Sequence, residues 1–531
     1  MTTVSTPIQA FQPHPGIWVE QCADRVGRAT VLFINMPLRE HARPNTIPLG
    51  PALMAARLRD YGASCSIFDL NAHRPLLTPG QVETALVDHL NQHGEPHVVG
   101  LSGLITTLYW QITTAHIVRK LLPDVFLVSG GGLATDLPDQ LFEWIPELDA
   151  VATGEGDDVV FKIVSDAVEL DELGRPFGDE GAQRRLPPYF GCYRGQRPRD
   201  LDSLPMPAWD LCRLDVYLPA PIWGVDADNS SATPFTMRRS VNGVSSRGCP
   251  FACKYCDRTA TGGRTYGVRS AENLLIEAQT LMQRYDVDFI GWVDDNAMVR
   301  PDRLARMAEV FAPLKDQGLR WGTHGRLDEA ADLAIRNRRG GYDRSRPPRV
   351  KHMADAGCVY VGFGPESADA ETLRRMDKGG QTLAGNTIRI GGFDVPESMV
   401  VGLQNCRDYG VHANCTWIMG YPGETLRALK ATVRFILWMQ EEGYNPPGTC
   451  NRSMFVATAY PGTEMFNDPI VVGKIREAFG GDLKRYVLEL DDATKLITGD
   501  VPLNYSAMDD LTFLKAREYV ETGCIEMILN L

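Results

Sequence analysis

Twice along the chain, short apolar runs alternate with helical stretches, and this alternation limits the fold more than any other feature. The first series contains the runs Thr30–Met36, Ser64–Leu70, Val98–Ser102, Val125–Ser129 and Asp149–Thr153. Between them lie helix-patterned stretches at Pro51–Tyr61, Gln81–Gln92 and Tyr109–Leu122. A continuous apolar run such as TVLFINM is what a strand buried on both faces needs. Strands alternating with helices in this way predict a doubly wound parallel sheet. The rhythm breaks where Pro205, Pro207, Pro219, Pro221 and Pro234 fall within 30 residues, which reads as a linker. A second series follows, with strands expected at Ser240–Ser246, Phe289–Val293, Leu319–Thr323, Val359–Phe363, Ala413–Met419 and Ser453–Thr458. Its helices are expected at Ala271–Tyr285, Arg303–Leu314 and Leu426–Gln440. Six strands predict a partial (β/α)6 barrel rather than a full eight.

The division that follows has an irregular extension over 1–28, a sheet domain over 29–200 and a linker over 201–235. A barrel domain over 236–465 and a small carboxyl-terminal region over 466–531 complete it, the last with a helix at Met508–Leu529. Two segments are longer than the barrel needs: Ala331–Lys351, with seven Arg or Lys, and the Gly-rich Gly379–Val400. The basic segment reads either as a solvated surface or as a substrate contact through Arg336, Arg338 and Arg339.

Composition sets outer bounds. No run approaches the ~18 apolar residues of a membrane span, so none is expected. Net charge is −13, a poor match to nucleic acid, and no nucleic-acid partner is expected. Residues 1–16 contain three Pro and no Lys or Arg, unlike a secretory signal. Twelve Cys in 531 residues are too sparse for a disulfide scaffold, which points to a reducing, cytoplasmic compartment. Nine of them are scattered. Cys249, Cys253 and Cys256 cluster directly after an expected strand. Structural zinc needs four ligands, and no fourth Cys or His lies at short spacing. Three thiolates without a fourth partner suit a [4Fe–4S] cluster with one open iron.

The spacing C-x3-C-x2-C, with Tyr255 before the last Cys, resembles the radical S-adenosylmethionine (SAM) superfamily. That resemblance implies that SAM chelates the open iron and is cleaved reductively to methionine and a 5′-deoxyadenosyl radical. An external low-potential electron donor of the flavodoxin or ferredoxin type is implied with it. Further motifs follow the strands in order. Gly291-Trp292-Val293-Asp294-Asp295-Asn296 stands where the family places polar groups around the SAM ammonium, which implicates Asp294 and Asp295. Gly364-Pro365-Glu366-Ser367 looks like G-x-E-S, which implicates Glu366 and Ser367 at the ribose. Ile418-Met419-Gly420-Tyr421-Pro422-Gly423-Glu424 resembles the adenine-side motif, through Gly420 and Glu424. Tyr460-Pro461-Gly462-Thr463 matches P-G-T.

The amino-terminal sheet resembles the cobalamin-binding fold. Ser102-Gly103-Leu104, with Thr106 and Thr107, follows strand three. Gly130-Gly131-Gly132 follows strand four, and Gly154-Glu155-Gly156 follows strand five. Pro48-Leu49-Gly50 and Leu204-Pro205-Met206-Pro207-Ala208-Trp209 are also similar to cobalamin-binding radical SAM proteins. Pro37 and Leu38, in the loop after strand one, join the implied cobalamin contacts. That loop lacks the Asp and Gly of D-x-H-x-x-G, so His41 is expected to be a loop histidine. The resemblance then implies base-off cobalamin without a histidine ligand. A dinucleotide-binding sheet is the alternative, but no G-x-G-x-x-G follows strand one. The expected fold is α/β: a doubly wound, Rossmann-like cobalamin-binding domain, a partial TIM-like radical SAM barrel and a small carboxyl-terminal region.

The activity implied is a cobalamin-dependent radical SAM methyltransferase. Methyl would pass from SAM, by way of methylcobalamin, to an unactivated carbon or a phosphinate of a small-molecule intermediate in natural-product biosynthesis. A same-family enzyme catalysing a rearrangement or cyclisation is the alternative. An RNA-directed methylthiotransferase and a non-enzymatic sensor are the remaining readings. The first is disfavoured by the acidic charge. The second leaves the motifs after strands four and five without purpose.

Overall fold

The computed structural model describes residues 17–38, 44, 46–173, 191–219, 237–257, 264–333, 347–444, 454–490 and 503–531. They divide into two compact units. The first runs to Tyr217 and takes in Asp257 and a returning segment that begins at Asp482; the second holds the other described residues from Leu218 on.

In the first unit, six strands form one parallel sheet: β1 Thr30–Asn35, β2 Ser64–Asp69, β3 Val98–Ser102, β4 Phe126–Gly130, β5 Ala150–Thr153 and β6 Cys192–Arg194. Their order is β2-β1-β3-β4-β5-β6. Chain direction across the sheet reverses between β1 and β3, the switch point at which such sheets bind ligands beyond their carboxyl ends. In β1, Val31 to Asn35 are all buried, as a central strand demands. Helix starts are written locally. Thr78 and Gln81 form a reciprocal capping box ahead of the helix Pro79–His93.

The structure corrects three expectations here. Residues 17–26 are a helix, Ile17–Val26, rather than irregular chain. Val19, Cys22 and Val26 form its buried stripe, and it packs against the long helix Gly156–Glu172. β6 was not expected, because CYR is too short to carry an apolar pattern. The expected linker belongs to this unit as far as Tyr217. Ala208 N–H donates to Ala52 O at 3.0 Å, and the buried Tyr217 hydroxyl donates to Asp69 Oδ2 at 2.7 Å.

In the second unit, β7 is Ser240–Gly243, β8 Ser246–Arg247, β9 Gly267–Val268 and β10 Phe289–Trp292. β11 is Arg320–Gly325, β12 Cys358–Glu366, β13 Thr387–Ile390, β14 Phe393–Pro396, β15 His412–Met419 and β16 Met454–Val456. The main sheet is parallel, in the order β16-β15-β12-β11-β10-β7. Each strand lies beside its predecessor in this series, which is the winding of a half-barrel. Trp292, Trp321 and Trp417 are fully buried in it. A Cβ on Gly243 would stand 2.4 Å from the Trp292 ring, so strand and indole meet only because that residue is glycine.

The expected strand Ser240–Ser246 is two elements. Asp294 captures the backbone N–H groups of Ser245 and Ser246 and bends the chain between β7 and β8. The antiparallel pair β8–β9 then closes the base of the loop that carries the three clustered cysteines. Gly379–Val400 folds as a short helix Gly379–Thr382, the β13–β14 ribbon and the first turn of the helix Glu397–Asp408. The expected helix Met508–Leu529 is Asp510–Glu521 followed by the 3-10 turn Ile525–Asn530. Among the described residues, no helix is long and apolar enough to cross a membrane.

Candidate functional site

The cysteine loop leaves β8 with Gly248 at φ +81°, and its N–H donates to Asp295 Oδ2 at 2.8 Å. Cys253 is buried, Cys249 is partly covered and Cys256 is exposed. Lys254 anchors the loop at both ends of its peptide: its N–H donates to Met376 O, and its carbonyl accepts from Met465 N–H. The donor set fits an iron–sulfur cluster in two respects. All three thiols stand on one short loop, and Arg326 Nη1 lies 3.5 Å from Cys253 Sγ, where a cation suits a thiolate. Among the described residues, no three His, Cys, Asp or Glu converge tightly enough to hold a single ion. Thiolates of a four-iron cluster bind different irons, so they stand farther apart than the ligands of one ion. Burial raises the Cys249 thiol above its usual range.

Arg326 was not anticipated from sequence. It follows β11 and is buried. Nε and Nη2 grip Asp328 at 3.0 and 2.7 Å, and the guanidinium lies 4.1 Å over the Phe251 ring. Burial alone would raise the Asp328 carboxyl; the charge and hydrogen bonds of Arg326 prevail and hold it below the usual carboxylate range.

Above the loop, Tyr255 Oη donates to Glu366 Oε1 at 2.9 Å. Lys378 Nζ stands 3.1 Å from Tyr255 Oη and 3.8 Å from Glu366 Oε1. Glu366 ends β12 at φ +67°, a left-handed conformation rare for a side-chain-bearing residue, next to a register shift in the β12–β15 ladder. Backbone strain of this kind gathers at ligand sites. The Ser367 hydroxyl is 3.1 Å from Thr432 Oγ1 and accepts from Asp369 N–H, which ties it into the fold. Asp294 is similarly engaged: Oδ1 accepts from Ser245 N–H at 2.7 Å and Ser246 N–H at 3.0 Å, and Oδ2 binds the Ser245 hydroxyl. Asn296 donates to Glu329 Oε2 at 2.8 Å. Burial pushes the Glu329 carboxyl up to about 7. Gly420 N–H donates to Glu424 Oε2 at 2.6 Å, and Glu424 Oε1 has no hydrogen-bond partner among the described residues. Burial pushes this carboxyl up to about 8.

At the edge of the first sheet, the sequence-predicted residues gather beyond the carboxyl ends of β1, β3, β4 and β5. Leu38 N–H donates to Asn71 Oδ1 beside the buried Pro37, and Met36 N–H donates to Ser102 O across the switch point. Thr106 is partly covered. Thr107 Oγ1 donates back to Leu104 O and accepts from Gln111, which also accepts from Ser129. Leu104 and Tyr109 are 53% and 46% exposed, large apolar side chains at an edge that otherwise offers backbone. Gly130 could take a Cβ without a clash, meeting Ala152 at an ordinary contact distance of 3.8 Å. Gly132 begins a short helix. This open, partly apolar strip suits a large planar cofactor.

Several glycines here have a second reason. A Cβ on Gly131, at φ +94°, would stand 2.6 Å from Gly103 O. On Gly103 it would meet Thr107 Oγ1 at 2.2 Å, on Gly154 it would meet Gly195 O at 2.4 Å, and on Gly156 the Met54 sulfur at 2.6 Å. These residues let loops touch one another whether or not a ligand is present. Glu155 forms a largely buried ion pair with Arg197. The helix Leu483–Glu489, which falls in the expected carboxyl-terminal region, packs against the helix Leu108–Leu121 of this unit, with Lys484 donating to Trp144 O. His41, Arg336, Arg338 and Arg339 lie outside the described residues.

Comparison with known proteins yields two family matches. Residues 37–164 match the B12 binding domain and residues 244–436 the radical SAM superfamily. An uncharacterised methyltransferase of Pyrococcus horikoshii is 25% identical over 70% of this chain and 69% of its own length. The cytidylyl-2-hydroxyethylphosphonate methyltransferase of Streptomyces wedmorensis is 25% identical over 87% of both chains. Among solved structures, the cobalamin-dependent SAM radical enzyme OxsB with aqua-cobalamin and SAM bound superposes with a TM-score of 0.59 at 16% identity. That likeness, which concerns the fold, covers 85% of this chain and 61% of OxsB.

Proposed function

Taking as premise that this chain is a radical SAM enzyme with an amino-terminal B12-binding domain, we propose that it methylates an unactivated carbon or a phosphinate of a small biosynthetic intermediate. The observation that carries this reading is the joining of both domains in one chain that is 25% identical to a phosphonate methyltransferase over 87% of each length. The substrate class follows that relative: a small, anionic, phosphorus-bearing molecule.

When bound, the cluster supplies one electron to SAM and the cobalamin supplies a methyl carrier. This chain's own residues bind and orient. Cys249, Cys253 and Cys256 hold the cluster. Glu366 accepts from the ribose hydroxyls of SAM through the oxygen that Tyr255 leaves open, while Lys378 fixes the Tyr255–Glu366 pair. Asp295, Gly420 and Glu424 line the remaining SAM contacts. Asp294 shapes the β7–β8 bend, and Ser367 braces the turn after β12; each acts on SAM through the backbone it holds. Pro37, Leu38, Ser102 to Leu104, Thr106, Thr107 and Gly130 to Gly132 cradle cobalamin base-off. Gly154, Glu155 and Gly156 close the far end of that edge. An external flavodoxin- or ferredoxin-type donor delivers electrons in the cytoplasm.

The test is anaerobic reconstitution with iron, sulfide, cobalamin and SAM, followed by mass analysis of cytidylyl and free 2-hydroxyethylphosphonates. Gain of one methyl with release of 5′-deoxyadenosine supports the reading. A product of unchanged carbon count, formed with SAM cleavage, would replace methylation by rearrangement or cyclisation.

A further inference from the structure

Arg326 presents an arrangement that SAM binding does not account for. Its guanidinium is buried, and its donors are divided among four partners. Two go to the Asp328 carboxylate, at 3.0 and 2.7 Å. One goes to Cys253 Sγ at 3.5 Å, and further contacts reach Lys378 O at 3.4 Å and Thr382 Oγ1 at 3.3 Å. Thr382 Oγ1 in turn donates to Asp328 Oδ2 at 2.7 Å. Phe251, between the first and second cysteines, covers the guanidinium face. A cation fixed at three of its edges and on one face cannot swing away to follow a substrate. It presents one N–H to one sulfur.

We infer that Arg326 is a positioning residue that sets the reduction potential of the cluster through its hydrogen bond to Cys253 Sγ. The inference rests on the proposed cluster ligation. Reduction adds one electron from the donor to the cluster and breaks no bond. The added negative charge spreads onto the cysteinyl sulfurs, so a charged donor at one of them stabilises the reduced form more than the oxidised form. Such contacts to ligand atoms are among the ways a protein tunes its metal centre. Asp328 offsets most of the guanidinium charge, so the directed N–H accounts for the effect more than the overall field does. The same residue holds Lys378 O, and it thereby links the cluster sulfur to the group that orders Tyr255 and Glu366.

The experiment compares the reconstituted full chain with Arg326→Gln/Asp328→Asn, a pair that removes both buried charges together, and with Asp328→Asn alone. Iron and sulfide content are measured first, then the reduced fraction by electron paramagnetic resonance during dithionite titration without SAM. The double variant should keep its iron while its reduced-to-oxidised ratio at a fixed potential falls about tenfold, the size of one charge-assisted hydrogen bond. Asp328→Asn alone should leave that ratio equal or higher. An unchanged ratio in the iron-loaded double variant overturns the inference, and so does an equal fall in Asp328→Asn. Absence of iron from the wild-type chain overturns the cluster assignment itself. If the double variant fails to load iron, Phe251→Leu provides the second reading: uncovering the guanidinium should lower the ratio in the same direction, and no change there overturns the inference.

Discussion

The carboxyl edge of the β1–β6 sheet and the carboxyl ends of β10–β15 carry ligand motifs of equal prominence in sequence, yet they are built differently. The first is backbone and glycine. Its glycines admit other loops, as Gly131 admits Gly103, and its side-chain polar groups pair locally, as Thr107, Gln111 and Ser129 do. The second is a buried network of charges: Arg326 with Asp328, and Lys378 with Glu366 and Tyr255. A glycine motif therefore records close approach of any kind, and only measured space separates a ligand from a neighbouring loop. Charges buried at strand ends are harder to explain as packing, because each must be compensated at considerable desolvation cost.

The sharpest break between the two regions comes from the cysteines. Replacing Cys249, Cys253 and Cys256 together with Ala should abolish iron binding and SAM cleavage while cobalamin binding to the first unit persists. Full iron content in that triple variant would remove the cluster from this loop.

Next in size is a contrast inside the glycine edge. Gly131→Leu should destabilise the first unit by roughly 2–4 kcal/mol, since its Cβ meets a backbone carbonyl at a positive φ. Gly130→Leu should cost the fold little and still lose cobalamin, because a Cβ there meets Ala152 at an ordinary contact distance of 3.8 Å. Chemical denaturation beside cobalamin retention separates the two; equal stability losses would mean that both glycines serve packing alone.

Glu366→Gln should retain the cluster and weaken SAM by about 1–2 kcal/mol, the worth of a hydrogen bond to a charged acceptor. Equilibrium binding of SAM to the oxidised, iron-loaded protein reads this. Unchanged affinity would assign Glu366 to the β12 turn alone.

The smallest effect is on stability against pH. Glu424 is buried with its carboxyl raised to about 8. A raised acid favours folding while it is protonated, so its contribution is complete below about pH 4.5 and is lost as pH rises through about 8. Glu424→Gln should therefore flatten the fall in melting temperature between pH 5 and pH 9, by an amount equivalent to roughly 1–3 kcal/mol across that window. Parallel pH profiles for both proteins would show that the carboxyl is solvated.

The sequence by itself determined the alternation, and with it both parallel sheets, because a strand buried on two faces must be apolar throughout. It also determined that Cys249, Cys253 and Cys256 share one loop, because the three stand within eight residues of chain directly after a strand. Short or polar elements escaped it. β6 has three residues, the short helix Ile17–Val26 buries Val19, Cys22 and Val26, and Leu483–Glu489 returns to a unit whose main stretch ends at Tyr217. Tertiary structure alone decided which carboxylates are turned inward. Asp294 and Asp295 are adjacent and read alike, yet Asp294 is turned inward to fix the β7–β8 bend. Tertiary structure alone also brought Arg326 to Cys253, 73 positions apart. No local pattern encodes such a contact, because its geometry arises only when β11 and β7, the strand that precedes β8 and the cysteine loop, flank β10 in one sheet.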